Sequence, residues 1–227
     1  MTFRIAMIVS CCAVLGLAWI LESGAADVFL EATRPDFQKI PLGVVGIENA
    51  GGEVAHRIEE VLRADVRRSL VFSLVDLPSL GIKVNSVGAG PDPSFKQAAE
   101  HGVSVIVWGK AGVKGALSGS KDPDVNMDGY VYDAGSEEVV GGKRYVGSTS
   151  VARLMAHRFA DELVFRYTGE PGIARTKIAY VSELGAAREL FVMDYDGHDS
   201  RQLTADGFLN LMPRWSPDRK RPPTRRR

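Results

Sequence analysis

Beyond residue 12 the chain has no cysteine; Cys11 and Cys12 are its only two, and both fall in an apolar stretch at the N-terminus. Once that stretch is removed, a disulfide framework, a thiol nucleophile and a cysteine metal site are all excluded. Histidine is scarce as well. His56, His101, His157 and His198 are never four residues apart, and no H-E-x-x-H occurs. A zinc site of that kind is excluded, and the four read as surface or core residues. The chain also lacks a G-x-S-x-G elbow, a P-loop and a G-x-G-x-x-G turn, which removes the common signatures of serine hydrolases and nucleotide enzymes. "GAGPDP" (88–93) lacks the third glycine and reads as a plain loop.

Charge of one sign is concentrated at the C-terminus. The last nine residues, "RKRPPTRRR", hold six of the 28 basic side chains and none of the 28 acidic ones. Residues 1–218 therefore carry 22 basic against 28 acidic groups, a net charge of −6. A mildly acidic body argues against nucleic acid as a partner. The tail itself reads as a basic tail for nucleic acid or anionic lipid, or as sequence that is not natural coding.

What is present begins with a targeting segment. Arg4 precedes the apolar run "IAMIVSCCAVLGLAWIL" (5–21), and "ESGAAD" then supplies small residues. A Sec signal cleaved between Ala26 and Asp27 is expected, with no stable membrane insertion afterwards. Two other readings stand beside it: an uncleaved anchor, since 17 apolar residues approach spanning length, and a lipoprotein signal, "IVSC", with Cys11 as the lipidated residue.

Periodicity then lays out the body. "KIPLGVVGIEN" (39–49) reads as a buried strand. Val54, Ile58, Val61, Leu62, Val66 and Leu70 recur at helical spacing and predict a helix over 53–70. "VFSLVD" (71–76) is a second strand, 92–102 a short helix opened by Pro93 and closed by Gly102, and 103–115 the strongest strand signal. "VNMDGYVYDA" and "EEVVGGKRYVG" form a hairpin across "GSEE". A helix over 148–169 follows, capped by Ser148–Ser150 and Gly169, with Val151, Leu154, Met155, Phe159 and Leu163 as its apolar face. This order predicts an α/β domain over 27–169, with helices on a mixed, partly antiparallel sheet. "EPGIART" reads as a linker over 170–175, and from 176 to 218 only short strands and Asp-Gly turns remain.

Two acidic clusters invite a calcium reading. "DVNMDG" (124–129) matches the first half of a calcium loop, but its twelfth position is Gly135, so a polar hairpin tip is expected. "DYDGHD" gathers Asp194, Asp196 and Asp199, and reads as a tight turn in which Asp196 and Gly197 supply the positive φ values.

The linker "TGEPG", the strand "RTKIAYVS", the turn "LFVMDYDG", then "RQLT" and "PRWSPD" together resemble the TolB family of the Tol–Pal envelope system. The likeness covers residues 1–218. It implies an N-terminal α/β domain followed by a six-bladed β-propeller, periplasmic localisation, and a role in outer-membrane integrity and in constriction at division, with no catalysis and no cofactor. It implies a Pal-like lipoprotein on the propeller and a TolA-like inner-membrane protein on an N-terminal arm, here Asp27, Val28, Phe29, Leu30 and Glu31. The propeller motif falls on Asp194, Asp196, Gly197, Trp215, Ser216, Pro217 and Asp218.

Residues 176–214 amount to about one blade. After Asp218 the strand pattern stops and the basic run 219–227 follows, which reads as a frameshift or truncated gene model after the first blade. A lone blade cannot bury both faces, so Tyr180, Phe191, Phe208 and Trp215 are expected to stay partly exposed, and Pal binding is expected to be weak. A different class of protein, the prolyl-peptidase-like hydrolases, also carries "WSPDG" propeller repeats, but needs a downstream serine elbow, acid and histidine that this sequence lacks. A third reading is a curli- or lipoprotein-like secreted α/β assembly factor.

Overall fold

The computed structural model describes residues 38–49, 52–84, 90–115 and 122–216. The signal segment with Ala26, the arm Asp27–Glu31, and Pro217, Asp218 and the basic tail lie outside these residues.

The first sheet has five strands: β1 (Ile40–Asn49), β2 (Phe72–Val75), β3 (Val105–Lys114), β4 (Asp124–Asp133) and β5 (Glu138–Ser148). Their order is β2-β1-β3-β4-β5. β1 runs parallel to β2 and β3, while β3–β4 and β4–β5 are antiparallel. Helix α1 (Glu53–Arg68) makes the crossover between β1 and β2, as parallel neighbours require. The mixed sheet with helices is the α/β architecture read from the sequence.

β3 is buried on both faces, which explains its unbroken apolar run. Val105 and Val107 face the core under α1 and α3 (Ala152–Thr168). Ile106 and Trp108 face the opposite core, under α2 (Ser94–Glu100), where Phe95 packs on Trp108 with ring centroids 5.0 Å apart.

Several local expectations are corrected. "DVNMDG" is not a hairpin tip; it lies inside β4, with Val125 and Met127 fully buried by the two-residue alternation. α1 ends at Arg68, and Leu70, with φ 60°, is exposed rather than part of the apolar face. α3 does end at Gly169 (φ 74°), but no serine side chain caps its start. The chain enters through a 3₁₀ turn, Thr149–Val151, and Ser148 and Ser150 bond each other at 2.6 Å. Met155, Phe159 and Leu163 are buried, whereas Val151 and Leu154 are 37% and 38% exposed. Both lie beside the edge strand β5.

A second sheet has three antiparallel strands: β6 (Lys177–Leu184), β7 (Ala187–Asp194) and β8 (Arg201–Gln202). It is open, with no further strand pairing to either edge among the described residues apart from a bridge between Arg188 and Leu209. Leu190 and Val192 of β7 are buried, and Tyr180 stacks on Phe191 at 5.5 Å between centroids. Phe208 (61%), Leu209, Met212 and Trp215 (40%) stay exposed.

Candidate functional site

The propeller-type motif residues and the helical core meet where the β7–β8 turn touches α3. β7 ends at Asp194, whose side chain accepts a hydrogen bond from Lys177 at 2.5 Å. The turn closes when Gly197 N–H donates to the Asp194 carbonyl at 2.9 Å and Asp194 N–H to the His198 carbonyl at 2.8 Å. Gly197 takes φ 87°, as a turn of this sharpness requires. Asp196, expected to share that role, does not. The second positive φ belongs to Asp199, at 50°, where a short polar side chain tolerates it.

Asp196 is committed elsewhere. Its Oδ1 accepts the His198 N–H at 3.0 Å, and its Oδ2 receives the Arg153 guanidinium from α3. Burial works against its charge, but the His198 N–H and Arg153 outweigh it and hold this carboxyl below the ordinary aspartate range.

Behind Asp196 lies a buried polar file. His157 Nε2 faces Asp196 Oδ2 at 3.8 Å, and His157 Nδ1 donates to Asp65 Oδ2 of α1 at 2.6 Å. Asp65 and His157 are 3% and 4% exposed. The file runs carboxylate, imidazole, carboxylate, guanidinium through Asp65, His157, Asp196 and Arg153. It ties α1, α3 and the turn of the second sheet together. Tyr195 extends the contact by donating to the Arg68 carbonyl at 3.4 Å.

One turn further along α3, Asp161 fastens the linker. Buried at 4% exposure, it accepts the Ala174 N–H at 2.8 Å and Arg175 Nε at 2.6 Å. The linker passes so close that a Cβ at Gly172 would stand 2.6 Å from the Asp161 Cα. Only glycine permits that approach.

Within the second sheet Glu189 of β7 organises the returning chain. It is 3% exposed and receives Thr204 Oγ1, Gly207 N–H at 2.8 Å and Asn210 Nδ2 at 3.2 Å. The backbone follows: Arg188 N–H donates to the Phe208 carbonyl at 3.1 Å and Asn210 N–H to that of Arg188 at 2.9 Å.

The structure therefore brings Asp194, Asp196 and Gly197 into one turn. Trp215 and Ser216 sit apart, at the end of the described residues, where Trp215 borders an open hollow of about 470 Å³ beside Arg175–Lys177. No group of three or more His, Cys, Asp or Glu suited to a metal ion occurs among the described residues. No helix among them is long and apolar enough to cross a membrane. The sequence reading missed Arg153, Asp161, Asp65 and Glu189, and took His157 only as a surface or core histidine. One signal was available: Arg153, His157 and Asp161 recur every four residues on a helix face that also carries Ala156 and Ala160.

No family model matches the chain. Among curated proteins, it is similar to the Tol-Pal system protein TolB of Geobacter sulfurreducens, at 32% identity over 200 residues, or 85% of this chain and 43% of that protein. The TolB of Aromatoleum aromaticum is 28% identical over 209 residues, 92% of this chain and 46% of its own. The crystal structure of TolB from Acinetobacter baumannii superposes with a TM-score of 0.63 at 23% identity, covering 81% of this chain and 43% of that one. The chain thus spans less than half the length of the relatives it matches.

Proposed function

We propose that this chain, which is TolB-related over most of its length, serves as a non-enzymatic protein-interaction component of a Tol–Pal-type system in the periplasm, supporting outer-membrane integrity and division. The observation that carries this reading is the 200-residue alignment to a TolB protein at 32% identity, long enough to take in both the five-stranded sheet and the β6–β8 sheet.

In this reading residues 27–169 are an adaptor domain, 170–175 a linker, and β6–β8 the first blade of a propeller that continues from Trp215-Ser216-Pro217-Asp218. The exposed Ile178 and Leu184 of β6, with Phe208, Met212 and Trp215 beyond β8, support it, because a blade buries its faces only against sister blades. Asp27, Val28, Phe29, Leu30 and Glu31 form the arm offered to a TolA-like inner-membrane protein. A Pal-like lipoprotein docks mainly on other blades. The buried file from Asp65 to Arg153 holds blade and adaptor domain in one orientation, so that the two partners meet a fixed geometry.

The test is crosslinking in cells of the source bacterium followed by purification of this protein. Recovery of a TolA-like protein, with or without a Pal-like one, supports the reading. Recovery of neither, or labelling of the chain by an active-site serine probe, contradicts it.

A further inference from the structure

We infer that the groove between the outer edge of β5 and helix α3 takes an extended acidic segment of a partner protein as an added strand. β5 is the last strand of its sheet, and among the described residues nothing pairs with its outer edge. Beside that edge runs a groove of about 370 Å³. One wall is Lys143–Val146 of β5; the other is the α3-side stripe Val151, Leu154, Arg158 and Glu162, whose members lie on successive turns. A strand edge flanked by a helix stripe is the geometry in which peptides add to sheets, with backbone bonds to the edge and alternate side chains against the helix.

The lining says what such a strand carries. Val146 is 68% exposed, and Val151 and Leu154, which periodicity assigns to the core, are left open here. Residues 143 and 145 face α3 and residues 144 and 146 face away from it, so Val151 and Leu154 offer apolar contact to one set of alternate side chains and Val146 to the other. Lys143, Arg144, Arg158 and Arg175 surround them, against one carboxylate, Glu162. Lys143 is held by Glu162, Arg144 by Asp128 through two bonds of 2.6 and 2.8 Å, and Arg175 by Asp161. Arg158 has no carboxylate partner among the described residues. The pairs of Lys143 and Arg144 are exposed to solvent, which screens them, so both cations remain open to a competing carboxylate.

A second copy of this chain is the poorer occupant. Antiparallel pairing of two β5 edges sets the cations Lys143 and Arg144 of one against those of the other, and like charges across a ladder are destabilising. Basic side chains on an edge deter self-pairing, while the same charges attract an acidic strand.

The experiment titrates the full-length chain into a fluorescein-labelled heptapeptide of alternating acidic residues and valines, read by anisotropy, with hydrogen exchange locating the site. The expected result is saturable binding that weakens with salt, protection of 142–147, and loss of affinity by about tenfold or more in Arg158→Glu with Arg158→Lys near the parent. Arg158 is exposed, so both variants keep the parent's melting profile. The proposal is overturned by no binding at millimolar peptide, by unchanged affinity in Arg158→Glu, by protection elsewhere, by equal binding of a lysine–valine heptapeptide, or by self-association through β5 in sedimentation.

Discussion

His157 and Asp65, 92 positions apart in the chain, sit with Nδ1 and Oδ2 2.6 Å apart in the interior between α1 and α3. Asp65→Ala leaves the buried His157 Nδ1–H without its acceptor and is expected to cost roughly 1–3 kcal/mol, the range for a buried polar group left unsatisfied. Thermal melting of the variant against the parent checks this. A change within the scatter of surface substitutions contradicts it.

Asp196 gives the contact a pH dependence of definite sign. Its carboxyl is held below the ordinary value in the folded state. Its stabilisation is therefore complete above the unfolded value of about 4 and is lost as pH falls through the lower folded value. The protection of the amides at 195–198 relative to their intrinsic exchange rates is expected to hold from neutrality to about pH 4 and to fall below it. In Asp196→Asn that acid step disappears and the turn exchanges faster at every pH.

Gly172→Ala places a methyl group against the Asp161 backbone, at 2.6 Å from its Cα. The linker has to lift, which also stretches the Ala174 and Arg175 bonds to Asp161. A loss of about 1–3 kcal/mol is expected, the usual range for overpacking. Limited proteolysis after Arg175 is expected to speed up before global unfolding; cleavage at the parent's rate argues against the contact.

Glu189→Ala removes the acceptor for Gly207 N–H and Asn210 Nδ2. Each stranded polar group costs about 1–3 kcal/mol when buried. Hydrogen exchange of 204–210 is expected to rise sharply while α1 keeps its protection. Equal loosening of both regions would mean that the second sheet does not open separately.

How much of this was legible in the sequence divides along one physical line. Signals with a period, such as the buried run of β3 and the Ile58–Val66 stripe of α1, place their elements within a few residues, because burial of one face dictates spacing. Turn chemistry was read at Gly197 and Gly169. What escaped was pairing at a distance. Nothing local in "ADV" says that Asp65 meets His157, and nothing in "DYDG" says that Asp196 reaches across to Arg153. The Arg153–His157–Asp161 stripe was visible, but four-residue spacing marks only a shared face, not its partner. "DVNMDG" misled for the opposite reason: its acidic residues alternate with buried Val125 and Met127, and strand alternation overrode a loop-like composition.

The arm Asp27–Glu31 carries the functional claim most directly. The decisive measurement is isothermal titration of the signal-free chain with the purified soluble part of the TolA-like inner-membrane protein from the same bacterium, alongside a variant lacking residues 27–31. The account predicts one-to-one binding that the deletion abolishes while the melting temperature stays unchanged. Binding of equal strength with and without those five residues, or no binding by the intact chain, contradicts it.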